Sequence, residues 1–267
     1  MTPKFSLAPL IYVVLLIVPV YWLVILSVKT VGEITGEITF YPHAPTAENY
    51  QFIFNDTSLY YGYVNATIYV LMNVVISVAV AVPAAYGFSR YRFFGDRVLF
   101  FGFLAFRMMA PAVLLVPFVE IFSELRMIDT YIAVAIAHCF FNVPLAIWIL
   151  EGFISSIPRE MDDIAKVDGY GFTRFFLRIL LPQIAPGITV AAFFCFMFSW
   201  TETLLSNALT VVYAKPIGGI MSRFATVLAA DVPLLAAAGV LGLIPGILLI
   251  IFMKKHLARG FSMGRVI

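Results

Sequence analysis

The chain has 267 residues, of which 62% are hydrophobic and only 12% are charged. Soluble domains carry about 25% charged residues, so this composition excludes an ordinary soluble domain and predicts a membrane protein. The net charge of +2 and the lack of a basic run argue against nucleic-acid binding. Cys139 and Cys195 lie inside apolar runs, which argues against a disulfide framework or a metal cluster and favours packing.

Six apolar runs reach the length of about 20 residues that a helix needs to cross a bilayer. The pattern predicts an all-α membrane protein with six transmembrane helices. They cover about residues 7–28, 65–88, 98–122, 131–153, 184–205 and 234–253. The first run is too long for a signal peptide and leads to no small-residue cleavage site, so we expect it to be retained. No repeat or linker divides the chain, which indicates a single membrane domain over residues 1–267.

The distribution of lysine and arginine predicts the orientation of these spans. With the N-terminus inside, the inner side carries 12 Lys and Arg residues and the outer side carries 4. Cytoplasmic loops are the ones enriched in Lys and Arg. We therefore expect a multi-pass protein with both termini in the cytoplasm, and a cytoplasmic loop at residues 155–183.

Several polar side chains lie within the predicted spans. A charge at mid-membrane costs roughly 2.5–3.5 kcal/mol on insertion scales, so such groups tend to face a cavity or a partner. The candidates for a solute path are Asn73, Arg107, His138, Asn142, Trp200 and Glu202. His138 and Asn142 are four residues apart and share a helix face, whereas Trp200 and Glu202 are two apart and do not.

Each of these side chains has a solute-binding and a packing interpretation. Trp200 could stack on a sugar or polyol, and Glu202 could accept hydrogen bonds from hydroxyl groups. Packing or hydrogen bonding at a subunit interface is the alternative for each of them. Arg107 could pair with Glu202 or with Glu120.

Residues 155–183, the charged insert, interrupt the apolar chain between the fourth and fifth spans. Pro158 suits the first turn of a helix, and the acidic residues that follow suit the positive end of its dipole: Glu160, Asp162 and Asp163. Gly169 can adopt the left-handed conformation that ends a helix. A second helical stretch, Phe172–Leu181, is closed by Pro182. The pattern predicts a helix, a glycine corner and a second helix.

One face of the first helix carries two apolar anchors, Met161 and Ile164, with Ala165 and Asp168 at helical spacing. This face could rest on the membrane surface. Alternatively, the helix is a rigid projection that fits a groove on another protein.

The run from Pro158 to Pro186 resembles the "EAA" loop of ABC importer permeases. That pattern reads roughly E-A-A-x-x-D-G-A, a helical stretch, then L-P, and this chain has DIAKVDGY from Asp163 and then Leu181-Pro182. The positions that match are Ala165, Asp168, Gly169 and Pro182. The departures are Asp163 for Glu, Ile164 for Ala and Tyr170 for Ala.

Other segments are similar to carbohydrate-type permeases, and the likeness covers nearly the whole chain. They are AYGFSR at 85–90 with FGDR at 94–97, NVP at 142–144, FSWTE at 198–202 and RGFSMGRV at 259–266. Six spans and a short N-terminus resemble the second permease of maltose-type transporters. The resemblance implies a type I ABC importer permease fold with a cytoplasmic coupling helix.

The resemblance also implies partners and contact residues. The residues that would contact an ATPase are Glu160, Met161, Asp163, Ile164, Ala165, Asp168, Gly169 and Pro182. The expected partners are a second homologous permease, two ATP-binding subunits that hold ATP and Mg, a solute-binding protein and membrane lipid. The expected location is the bacterial inner membrane.

No element of this chain is suited to ATP hydrolysis. The Lys29-Thr30 pair has no glycine loop before it to cradle phosphates, so we expect no catalytic residue, metal or cofactor on the chain. The function expected is a permease subunit in the translocation path for a sugar, a polyol such as glycerol, or a related hydroxylated solute. A stand-alone secondary transporter or channel is the alternative. An intramembrane enzyme is the weakest candidate, because the three histidines are scattered.

Overall fold

The computed structural model describes residues 7–36, 38–225 and 232–263, and this part of the chain is helical with no strand. The all-α prediction is therefore confirmed. The first helices are α1 Leu7–Val28, α2 Val31–Thr35, α3 Glu48–Asn55, α4 Thr57–Arg90, α5 Asp96–Arg107, α6 Pro111–Glu124 and α7 Tyr131–Ser155. Residues 264–266 of the C-terminal motif predicted at 259–266 lie outside the described residues.

The second half of the chain continues in the same way. Its helices are α8 Glu160–Val167, α9 Phe172–Phe175, a π-helical turn Phe176–Leu180, α10 Leu181–Gln183, α11 Ala185–Thr201, α12 Leu204–Ala208, α13 Ile217–Phe224 and α14 Val232–Met263. The charged insert thus contains a helix, a corner and a second helical stretch, as the sequence predicted.

Within the described residues, four helices are long and apolar enough to cross a membrane. They are Ile11–Val28, Thr57–Arg90, Tyr131–Ser155 and Val232–Lys254, and they coincide with the first, second, fourth and sixth predicted spans. Two bent helix pairs pass the same test, which brings the number of candidate spans up to six if each pair crosses as one.

The third predicted span, residues 98–122, is not one continuous helix. It consists of α5 and α6, whose axes differ in direction by 94°. Pro111 occupies the first turn of α6, and Ala110 before it has an extended backbone with ψ of 133°. A residue that precedes proline is driven away from helical geometry, so the chain bends here although its hydropathy is continuous.

The fifth predicted span, residues 184–205, is also shorter than the sequence indicated. The helix α11 ends at Thr201, and Glu202 has an extended backbone with ψ of 116°. The segment Phe172–Gln183 precedes α11 at an angle of 74°. The apolar run therefore contains one helix of 17 residues, followed by the short helix α12.

The chain divides into two compact units, Met1–Tyr63 with Ile217–Leu248, and Val64–Pro216 with Leu249–Ile267. The divisions at Val64 and Leu249 fall inside the continuous helices α4 and α14. Since no linker marks these points, composition could not reveal them. The prediction of one domain over residues 1–267 stays a prediction.

The first unit has a small core formed by helices α3, α4, α13 and α14. Ile53 and Leu59 are buried with Ile220 and Met221 of α13. The Tyr63 hydroxyl donates to the carbonyl of Ala238 at 2.8 Å. In α1, only 11% of the apolar stretch Ile11–Val28 is buried, so most of the surface of this helix is available to lipid.

The core of the second unit is built around α7, which packs against α5 and α11. In α7, 67% of the apolar stretch is buried, and some of its contacts with neighbouring helices admit only a small residue. Gly187 of α11 is one such position: a Cβ there would lie 2.5 Å from the ring of Phe153.

We expect Gly187→Ala to destabilise the second unit. The added methyl group has no room against Phe153, and overpacking of this kind costs about 1–3 kcal/mol. The measurement is the thermal unfolding midpoint of the purified chain in detergent. The control is Gly152→Ala in α7, where a Cβ meets nothing within 4 Å. A lower midpoint for the control than for Gly187→Ala would contradict this packing.

Candidate functional site

The helix α8 of the charged insert has defined signals at both of its ends. Three acidic residues occupy its first turn, where the helix dipole favours negative charge. At the other end, Gly169 has φ of 77°, its N–H donates to Lys166 O at 3.0 Å, and Tyr170 N donates to Ala165 O at 2.9 Å. This pair of bonds is the Schellman motif, so the glycine corner stops the helix rigidly.

The predicted contact residues of α8 do not share one environment. Ala165 is buried and Met161 half-buried, whereas the other members of α8 and its corner are exposed: Glu160, Asp163, Ile164, Asp168 and Gly169. Val167, which the sequence reasoning missed, is 88% exposed, and Ile164 is 55% exposed. These two apolar side chains are three residues apart and share a face. That outer face is covered by nothing in the described part of the chain.

The inner face of α8 is fixed by a buried ion pair. Arg90, the last residue of α4, donates from Nε to Asp162 Oδ2 at 3.0 Å. Tyr86 donates its hydroxyl to the same oxygen at 3.0 Å. Arg90 Nη1 also donates to the carbonyl of Ile157, just before α8, at 3.1 Å. Sequence reasoning missed Arg90 and Tyr86, because they lie more than 70 residues from Asp162.

Two further bonds join the insert to the end of α4. Arg159 Nη2 donates to Ser89 O at 2.9 Å, and the Ser89 and Ser155 hydroxyls are 2.8 Å apart. A cavity of about 250 Å³ lies beside these contacts. Its walls include aromatic and charged side chains, among them Tyr86, Tyr170, Phe172, Arg90, Arg159 and Asp162.

Pro182 does not end the second helical stretch as predicted. It lies within α10, and the helical stretch continues to Gln183. Proline lacks the N–H that would bond to the carbonyl four residues earlier, here that of Arg178. The π-helical turn Phe176–Leu180 lies directly before this point.

Two of the predicted solute-path residues, Asn73 and Asn142, bond to each other in the second unit. Asn142 Nδ2 donates to Asn73 Oδ1 at 2.6 Å and to Cys195 O at 3.0 Å. Asn73 Nδ2 donates to Ala135 O at 2.9 Å. Both side chains are fully buried, so in this structure they tie α4, α7 and α11 together.

His138 and Glu202 form a second buried polar cluster with Ser199. The His138 Nε2 atom is 3.0 Å from Glu202 Oε2, and Nδ1 is 2.7 Å from the Ser199 hydroxyl. The Glu202 carboxylate also accepts from the backbone N–H groups of 204–206 at the start of α12. The carboxylate thus satisfies the backbone where α11 breaks, a role that its sequence position did not reveal.

Arg107 and Trp200 are half-buried and contact aromatic rings. The guanidinium carbon of Arg107 lies 4.4 Å from the ring centroid of Phe198, a cation–π arrangement. It makes no ion pair with Glu202 or Glu120 among the described residues, so the pairing considered from the sequence is absent here. Trp200 stacks on Phe196 with 5.8 Å between centroids.

Asp129 lies just before the start of α7 and organises residues 209–215. We call these residues the Asp129 loop. The Asp129 carboxylate accepts from the backbone N–H groups of Val211, Val212, Tyr213 and Ala214 at 2.9 to 3.2 Å. Partial burial alone would raise the pKa of Asp129, but these four donors outweigh it and hold the pKa below its usual range. Asn65 Nδ2 also donates to Tyr213 O at 3.1 Å.

Residues 77–263 match the family described as "Binding-protein-dependent transport system inner membrane component". Relatives are similar over most of this chain. The sulfoquinovosyl glycerol transport system permease protein SmoH of Agrobacterium fabrum is 28% identical, over 92% of this chain and 87% of that protein. The trehalose transport system permease protein SugB of Mycobacterium tuberculosis is 28% identical, over 94% and 92%.

A third relative and a solved structure extend the comparison. The maltodextrin transport system permease protein MdxG of Bacillus subtilis is 27% identical, over 82% of this chain and 80% of that protein. The crystal structure of a bacterial ABC transporter involved in the import of the acidic polysaccharide alginate contains a similar chain. The two superpose with a TM-score of 0.75 at 20% identity, over 95% of this chain and 99% of that one.

We expect Asp129→Asn to release the Asp129 loop. A hydrogen bond to a charged group contributes about 1.5–3 kcal/mol, so amide hydrogen exchange at residues 211–214 should accelerate by about tenfold or more. Glu124→Gln, an exposed carboxylate on α6, is the control and should leave this exchange unchanged.

The same loop should respond to pH in a defined direction. Because the folded pKa of Asp129 lies below its usual value, its stabilisation is complete above about pH 4 and is lost as the pH falls through the lowered pKa. Exchange corrected for its intrinsic pH dependence measures this. Release of the loop between pH 5 and pH 7 would contradict the assignment.

Proposed function

We propose that this chain, which belongs to the family of binding-protein-dependent transport system inner membrane components, works as a permease subunit. The transport that it mediates would be powered by ATP hydrolysis on separate subunits. The predicted resemblance to this family is confirmed by the match, which includes the charged insert. The type I ABC importer permease fold is confirmed by the superposition on the alginate transporter.

The observation that carries the proposal is the exposed apolar face of α8. Ile164 and Val167 project from a short helix that is fixed on its inner side by Arg90 and stopped at Gly169. A rigid amphipathic helix with an uncovered apolar face suits a hydrophobic groove on another protein. We propose that this groove belongs to the ATP-binding subunit, and that Glu160, Met161, Asp163 and Asp168 surround the contact.

The substrate class that we propose is a hydroxylated solute, a sugar, an oligosaccharide or a polyol. Relatives that are similar over most of this chain are named for transport of sulfoquinovosyl glycerol, trehalose and maltodextrin. The predicted path residues supply amide, imidazole, indole and carboxylate groups, which suit hydroxyl groups. Among them Arg107 is the one permanent cation, which favours a neutral solute over a phosphorylated one.

In the state described by this structure, four of the path residues are engaged with one another or with backbone groups. Asn73, His138 and Asn142 are fully buried, and Glu202 is 8% exposed. A solute could reach them only if α4, α7 and α11 separated. We therefore propose that the structure represents a state in which this part of the path is closed.

We propose the membrane assembly that the family relationship suggests. A second homologous permease and two ATP-binding subunits, with ATP and Mg on the latter, would complete the transporter in the bacterial inner membrane. Both termini and the charged insert would face the cytoplasm, as the Lys and Arg distribution favours. The exposed Val212 and Tyr213 of the Asp129 loop would then face the solute-binding protein.

We expect ATP-driven uptake when the chain is reconstituted in proteoliposomes with the partner permease, the ATP-binding subunits and the binding protein. ATP hydrolysis should rise when the binding protein carries its solute. Comparing neutral sugars, polyols and sugar phosphates in this assay identifies the class of solute that is transported. The outcome that contradicts the proposal is uptake by this chain alone driven by an ion gradient, with His138 and Glu202 required. That result would favour a secondary transporter.

We also expect Ile164→Lys to weaken binding of the ATP-binding subunit. Loss of a central apolar contact costs about 2 kcal/mol, or roughly 30-fold in Kd, measured by titration of the labelled subunit onto the permease in detergent. Leu177→Lys is a matched control, because Leu177 lies in the same insert and is also 55% exposed. Equal weakening by both substitutions would show that α8 is not the contact.

A further inference from the structure

The charged insert carries two neighbouring carboxylates whose surroundings are opposite. The Asp162 side chain is 11% exposed and pairs with Arg90, which is 6% exposed. The Asp163 side chain is 74% exposed and pairs with Lys166 of its own helix at 2.9 Å. One carboxylate therefore joins α8 to the rest of the fold, and the other stays on the surface.

The Arg90–Asp162 pair is poorly suited to a purely stabilising role. Arg90 Nη2 and Asp162 Oδ1 are buried and have no hydrogen-bond partner among the described residues. The desolvation penalty of buried charges often exceeds their attraction, and apolar residues of similar volume are often equally stable. What the pair does provide is a geometry, because a planar guanidinium donates hydrogen bonds only in fixed directions.

That geometry restricts movement of α8 relative to α4. The Arg90 guanidinium holds both the Ile157 carbonyl, before the helix, and the Asp162 carboxylate, in its first turn. Tyr86 contacts the same carboxylate and also packs against Phe172 beyond the glycine corner. The helix α8 cannot turn or shift away from α4 without breaking at least one of these contacts.

The helix α4 runs from this contact to the buried pair of Asn73 and Asn142. Arg90 is its last residue, and Asn73, which bonds to Asn142 of α7, lies about 25 Å away at about 1.5 Å per residue. All of these residues belong to the second unit. A continuous helix thus joins the insert to the side chains that would have to separate for a solute to pass.

We infer that Arg90, with Asp162 and Tyr86, is a positioning residue that transmits movement of α8 to α4. The inference rests on the proposed function, since it assigns the route by which a bound ATPase acts on the proposed path. Asp163 and the exposed face of α8 contact the partner, while Asp162 and Arg90 carry the displacement into the membrane domain. Loss of the pair separates ATP hydrolysis from uptake without releasing the ATPase.

The test compares Arg90→Gln, Asp162→Asn and Arg92→Gln in the complete reconstituted complex. Arg92 is an exposed cation two residues beyond Arg90 and serves as the matched control. The measurements are binding of the ATPase subunits, the rate of ATP hydrolysis, and solute taken up per ATP hydrolysed. For the first two variants we expect normal binding and a fall of about tenfold in uptake per ATP.

Two further variants separate transmission from folding. Arg90→Lys keeps the charge but loses the planar fork, so its coupling should be intermediate. The charge reversal Arg90→Asp with Asp162→Arg should recover more uptake per ATP than either single reversal. Unchanged coupling in Arg90→Gln, a parallel loss of hydrolysis and uptake, or failure of every Arg90 variant to assemble would overturn the inference. Absence of ATP-driven uptake by the unaltered complex would instead overturn the proposed function.

Discussion

The absence of water inside a bilayer is the constraint on which this structure depends. Every backbone N–H and carbonyl at membrane depth must find a partner within the protein, so the described residues form helices. Where a helix breaks, a side chain has to replace the lost backbone partners. Glu202 does this after α11 by accepting from residues 204–206, and its own burial is compensated by His138.

The continuous helices could be predicted because their signal is local. An apolar run of sufficient length is enough to locate α1, α4, α7 and α14. The helix breaks at Ala110 and Glu202 could not be predicted in the same way, because each lies inside an apolar run long enough to be taken as one span. The first break follows from the backbone preference before Pro111. At the second, the Glu202 carboxylate accepts from the N–H groups of 204–206 and also contacts His138, which lies 64 residues away.

The charged insert shows the same division between local and distant causes. Its helix, its acidic first turn and its Gly169 corner follow from neighbouring residues, and these predictions are confirmed. Which face of α8 turns inward depends on Arg90 and Tyr86, which no spacing within the insert could reveal. The exposed position of Ile164 and Val167 is a consequence of that distant ion pair. The roles predicted for individual path and contact residues stay predictions.

The adjacent positions 162 and 163 have an evolutionary consequence. Under the proposed function, the exposed carboxylate can change to suit a different ATP-binding subunit while the buried one, which holds the helix, is kept. The surface that chooses the partner and the contact that orients the helix can therefore diverge independently, although they are consecutive in the chain. If α8 docks on the ATP-binding subunit as proposed, a transporter of this kind can exchange that subunit through substitutions on one helix face.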